Sequence, residues 1–181
     1  MENYKKNLEL LTKNHVYSKE MEHDACGVGL IASTEGKKSR AIVEYGIEAL
    51  KAVWHRGAVD ADGKTGDGAG IHVEIPKDFF IEKIQVTGHD YDNSEICVGM
   101  IFLPRNDYSA QESCKTIVES ELTKNNFSIY GWRQVPVNPK VLGEKALQTM
   151  PEIIQVLFKS NDPNLLDKNL ERKIYETRKR I

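Results

Sequence analysis

The sequence predicts an α+β fold, with helices layered over packed sheets. Three observations lead there. Short apolar stretches of strand character recur: CGVGLIAS (26–33), IHVEI (71–75), ICVGMIFL (96–103), FSIYGWRQVPV (127–137) and EIIQVLF (152–158). Stretches with a helical stripe lie between them, above all at 39–57 and 109–126. The two kinds mix without a regular βαβ repeat.

In chain order, residues 1–25 carry little core material beyond Leu8, Leu10 and Leu11, with room for a short helix at 4–12. At 26 the chain turns apolar, and 26–33 reads as a buried strand whose glycines, 27 and 29, admit a close backbone or ligand. The helix at 39–57 has Ser39 as its N-cap and Ile42, Val43, Ile47, Leu50 and Val53–Trp54 on its stripe, and Gly57 is expected to end it. AVDADGKTGDGAG (58–70) is a loop rich in glycine and aspartate. IHVEI alternates like a half-buried strand, and Pro76 stops it. The 109–126 helix offers Ser109 and Glu112 as a capping box, with Cys114, Ile117, Val118 and Leu122 on one face. A short helix at 140–149 and a terminal helix from about 165 complete the reading. Cys97 and Cys114 read as core residues.

The chain has 181 residues and a formal net charge of -2, which argues against a nucleic-acid surface. Its most basic run, ERKIYETRKRI (171–181), intersperses Glu171 and Glu176 and reads as a solvated helix face. No apolar run reaches the roughly 20 residues that span a bilayer. The N-terminus lacks the apolar region of a secretory signal, and His23 and Asp24 spoil Ala25-Cys26 as a lipoprotein cleavage site. The three cysteines are odd in number and lack framework spacing, which predicts free thiols in a reducing cytoplasm.

Cys26 carries the sharpest chemical question. Taken alone it is a small buried hydrophobe at a strand start. Its neighbours, Ala25 and Gly27, leave the backbone uncrowded for attack of the thiol on the preceding carbonyl. Breaking the Ala25–Cys26 bond would free an α-amine that titrates near ~8, beside a thiol near ~8.5. One residue would then supply nucleophile and base. A zinc site from His23, Cys26 and His55 falls short of the four ligands a structural site needs, so no metal is expected. A Cys26–His55 thiol pair fits on residue types but has no local signature.

In WHRGAVDADGKTGDGAG (54–70), the guanidinium of Arg56 suits bidentate capture of a carboxylate. Arg56 could instead cap the preceding helix or pair with Asp60 or Asp62. Gly57, Gly66, Gly68 and Gly70 permit tight turns, but the spacing matches neither a P-loop nor a dinucleotide fingerprint.

EHDACGVGLIA and GKKSRAIVEYGIEALKAVWHRGAVDADGKTGDGAGIHVEIP resemble the N-terminal glutamine amidotransferase domain of the glutamate synthase large subunit. The resemblance continues through VGMIFLP (98–104), GWRQVPV (131–137), IIQVLF (153–158) and ERKIYETRKRI. Ala-Cys-Gly-Val-Gly, His-Arg-Gly-Ala-Val and Thr-Gly-Asp-Gly-Ala-Gly in this order make it specific. It implies an N-terminal nucleophile fold, a four-layer αββα sandwich. Residues 1–25 would be a propeptide, and 26–181 the front part of the amidotransferase domain. Cys26 would be the catalytic nucleophile, with Arg56 and Gly57 binding glutamine. No cofactor would bind this chain. FMN and an iron–sulfur cluster would sit in further domains of the whole enzyme, supplied with electrons by a partner subunit or by ferredoxin. The chain stops at Ile181, ahead of the family's oxyanion-stabilising Asn-Gly motif and its amino-binding aspartate, so the sandwich is expected to be incomplete at its C-terminal end. The alternative expectation is an inactive fragment or a partner-binding paralogue.

Overall fold

The computed structural model describes residues 6, 9–10, 13, 27–54 and 57–181. The chain divides into two compact units, Met1–Arg56 and Gly57–Ile181. In the first, the described residues 6, 9, 10 and 13 are helical, within and beside the stretch read as a short helix. Helix α1 is Arg40–Ala52. Its N-cap is Ser39, as expected, whose hydroxyl accepts from the Ala41 N–H at 3.2 Å. Ile42, Val43, Ile47 and Leu50 share its half-buried stripe.

The helix ends before Gly57, contrary to expectation. Val53 is its C-cap, and Trp54 is 75% exposed. Both are weaker helix formers than the Leu-Lys-Ala run before them. The strand expected at 26–33 is also absent over its described part, 27–33, where Val28 is 95% exposed. A strand exists only when its backbone groups find a ladder partner, and no described segment provides one.

The second unit is built on a three-stranded antiparallel sheet of β1 (Cys97–Leu103), β2 (Phe127–Gln134) and β3 (Glu152–Ser160), in the order β1-β3-β2. Its helices are α2 (Lys77–Val86), α3 (Tyr108–Lys124), α4 (Glu144–Thr149) and α5 (Asp167–Arg178), with a single 3₁₀ turn at Pro139–Val141. The central strand, β3, is buried on both faces because successive side chains point opposite ways. Val156 and Phe158 join Cys97, Phe127, Val118 and Leu122 of α3, and Leu170 of α5. Leu157 faces the other way, into Phe80 and Ile84 of α2, Ile96 and Tyr130. The sheet therefore has α3 and α5 on one face and α2 on the other.

A β-bulge interrupts β2 between Ile129 and Gly131. Gly131 has φ +146, and a Cβ there would lie 2.8 Å from Cγ2 of Thr87, the C-cap of α2. The Thr87 hydroxyl lies 2.7 Å from the carbonyl oxygens of both Ile84 and Tyr130, so its one proton is shared between helix and strand. A side chain at 131 would push the helix end off the bulge.

Four expectations need correction here. Residues 71–75 form no strand. Ile71 and Val73 are exposed, and only Ile75 reaches the core, so the segment lacks both a ladder and a buried face. Helix α3 is capped by Asp107, which accepts from the Ala110 N–H at 2.9 Å, and not by a Ser109–Glu112 box. Aspartate caps as well as serine and stands where the chain enters the helix, while Glu112 pairs with Lys115 at 2.8 Å. Ile117 is exposed, and Gln111 takes the buried place on the α3 face, donating to the Pro104 carbonyl at 2.7 Å. Cys97 is buried as expected, while Cys114 is only half-buried, and both are free thiols. Helix α2 was not foreseen, although Phe80 and Ile84 stand at i and i+4.

Replacing Leu157, which is wholly buried between the layers, with alanine should cost about 2–5 kcal/mol, read from denaturant unfolding.

A second expectation concerns alkaline pH. Burial, followed by the charges of Glu95 and Glu171, pushes the Cys97 thiol up to about 12. Burial, then its hydrogen bond to Asp92, also raises the Tyr130 phenol above its ordinary range. Both are held neutral in the fold but ionise from about 8.5 and about 10 in the unfolded chain. Above those values the unfolded chain binds fewer protons, so this share of stability is complete below about pH 8.5 and falls as pH rises towards 12. The denaturant midpoint should therefore drop between about pH 8 and about pH 10.5, and Cys97→Ala should flatten the drop.

Candidate functional site

The glycine and aspartate residues after position 56 fold into a compact hairpin. Val59 and Gly66 form an isolated antiparallel bridge. The Asp60 N–H donates to the Thr65 carbonyl at 2.7 Å, and the Asp67 N–H donates to the Ala58 carbonyl at 3.2 Å. Gly63 turns the chain with φ +68, a conformation open to glycine at little cost. At Gly66 a Cβ would stand 2.8 Å from the Ala58 carbonyl oxygen, so the two arms close only over a bare α-carbon. The Asp67 carboxylate accepts from the Ala58 N–H at 2.8 Å and fastens the hairpin at its base, next to Gly57.

Asp62 organises the tip. Its carboxylate accepts from the Thr65 hydroxyl at 2.6 Å and from the N–H groups of Thr65 at 2.7 Å and Lys64 at 2.9 Å. These bonds, the Thr65 hydroxyl first among them, hold its carboxyl far below the usual carboxylate range. Beside it, Lys145 pairs with Asp60 at 2.5 Å. Asp62 thus takes donors from the hairpin itself, and Asp60 takes Lys145 from α4. Gly143 lies where the two segments meet. A Cβ there would come within 2.2 Å of the Thr65 hydroxyl and 2.3 Å of an Asp62 carboxylate oxygen.

Of the residues singled out from sequence, Gly57 is exposed at the start of this hairpin. Cys26 and Arg56, with His23 and His55, lie outside the described residues. Among the described residues no cluster of three His, Cys, Asp or Glu could hold a metal. No described helix is long and apolar enough to cross a membrane. The sequence did not point to Gly143 or Lys145. Asp62-Gly63-Lys64-Thr65 has the spacing at which an aspartate bonds the backbone two and three residues on, and that signal was available. The contact with Gly143 spans about 80 residues and leaves no local trace.

Residues 26–181 match the class-II glutamine amidotransferases, and the chain belongs to that family. It is 52% identical over 178 residues to the glutamate synthase [NADPH] large chain of Azospirillum brasilense, an alignment covering 98% of this chain and 12% of that protein. It is 40% identical over 173 residues to the ferredoxin-dependent glutamate synthase of Pyropia yezoensis, covering 95% of this chain and 11% of the other. Against ferredoxin-dependent glutamate synthase 1 of Arabidopsis thaliana it is 39% identical over 161 residues, with 88% and 10% covered. The chain thus spans about an eighth or less of the length of these relatives.

Proposed function

We propose that this chain is the glutaminase portion of a glutamate synthase, with Cys26 as nucleophile once residues 1–25 are removed. The observation that carries this reading is the family match, which begins at Cys26 itself. The freed α-amine takes the thiol proton as sulfur attacks the side-chain amide carbon of glutamine. That proton passes to the leaving nitrogen, ammonia departs, and a γ-glutamyl thioester remains. Water, deprotonated by the same amine, attacks the thioester. Glutamate leaves and the thiol is restored. Arg56 holds the α-carboxylate through its two-pronged guanidinium, and Gly57 starts the hairpin beside it.

In the whole protein the ammonia goes to 2-oxoglutarate. FMN and an iron–sulfur cluster belong to other domains there, with a partner subunit or ferredoxin as electron source, and no step above runs through them. The sheet, with α3 and α5 on one face, corresponds in this reading to half of an αββα sandwich. Met100 and Phe102, exposed on the face that α2 occupies elsewhere, leave room for a second sheet. The free thiols Cys97 and Cys114 suit the reducing cytoplasm.

In the full-length protein, Cys26→Ser should abolish glutamine-dependent activity while activity with added ammonia persists. Loss of both together, or of neither, would contradict the assignment. Arg56→Lys keeps the charge but loses the fork. It should weaken glutamine binding by roughly 1–3 kcal/mol, seen as a raised KM. A lowered melting temperature with an unchanged KM would instead make Arg56 a structural residue.

A further inference from the structure

The hairpin that starts at Gly57 does not hold its place by its own bridge alone. Its tip is fastened to the start of α4 by two contacts. The Asp62 carboxylate, which takes three donors from the hairpin, packs against Gly143, and Lys145 reaches Asp60 at 2.5 Å. The fit leaves no spare volume, since a methyl group at Gly143 would overlap the Thr65 hydroxyl at 2.2 Å and the Asp62 carboxylate at 2.3 Å. The ends of the hairpin are tied to each other by Asp67 and Ala58, so a fixed tip also fixes the base where Gly57 stands.

From this geometry we propose that Asp62, seated against Gly143, is a positioning residue for glutamine: it clamps the 58–67 hairpin to α4 and so sets where Gly57 meets the substrate. The proposal rests on the glutaminase reading above. Asp62 would act through the hairpin and not on the reacting atoms. Its carboxylate is already committed to three donors, which suits a fixed strut and not a proton carrier. Loss of the clamp should therefore loosen glutamine binding and leave turnover at saturation nearly intact.

The test uses the full-length protein and two readouts: glutamine hydrolysis kinetics, and the rate of tryptic cleavage after Lys64 in the hairpin. Asp62→Asn and Gly143→Ala should raise KM for glutamine by roughly ten-fold with little change in kcat, and both should accelerate cleavage after Lys64. Thr65→Val, which removes a single hydroxyl bond, should do the same to a smaller degree, while Thr65→Ser, which keeps the hydroxyl, should match the parent protein. Thr65→Val carries the test if the other two variants fail to fold. Unchanged KM and unchanged cleavage would overturn the proposal. So would faster cleavage without a rise in KM, which would leave the clamp purely structural. If the parent protein hydrolyses no glutamine, the glutaminase reading itself fails, and the proposal built on it falls too, even if the cleavage rates show that the clamp exists.

Discussion

Strand β3 buries five consecutive residues, Ile154 to Phe158, and this makes the second unit a layered structure. A strand presents alternate side chains to opposite faces, so an unbroken buried run needs cover on both. Helices α3 and α5 supply it on the side of Val156 and Phe158, and α2 on the side of Leu157. Both neighbouring strands pair with β3 and not with each other. The ladder bonds of both edge strands and both apolar clusters therefore depend on this one segment.

The same strand fixes the frame of the hairpin. Residues 135–151 connect β2 to β3, two strands paired side by side, and the Val135 N–H bonds the Ile153 carbonyl at 3.1 Å where the connection opens. Within it, Val137, Pro139, Leu142, Ala146, Met150 and Ile153 surround an apolar hollow of about 400 Å³, open to solvent. Helix α4 stands on one side of that hollow; its N-cap, Gly143, lies against Asp62, and its second residue, Lys145, holds Asp60. The hairpin thus takes its position from the sheet through a short helix. A polar loop gains a defined geometry in this way without burying apolar surface of its own.

Much of this architecture was legible in the sequence. All three strands of the sheet follow from apolar runs, and helices α1 and α3 from helical stripes that are at least half-buried along most of their length. Where the pattern misled, a partner was lacking: 27–33 and 71–75 have strand composition but no ladder. The sequence pattern marks Pro76 as the end of a strand, whereas in the fold it is the N-cap of helix α2. The bulge at Gly131 and the place of Gly143 depend on contacts with residues far along the chain, which no local pattern records. At the candidate site, the loop itself was legible in the glycines and aspartates of 58–70. The roles of its aspartates became visible only once their donors were in place. Lys145 engages Asp60 across more than 80 residues, and Asp62 takes its donors from Lys64 and Thr65.

The central claim is that one cysteine supplies both nucleophile and base after its own N-terminus is freed. It is tested most directly by peptide mass mapping of the active full-length protein after reaction with an electrophilic diazoketone analogue of glutamine. The account predicts a mature chain that begins at Cys26 and carries a single adduct on that thiol. Active protein that retains Met1, or an adduct on Cys97 or Cys114 in place of Cys26, would contradict it.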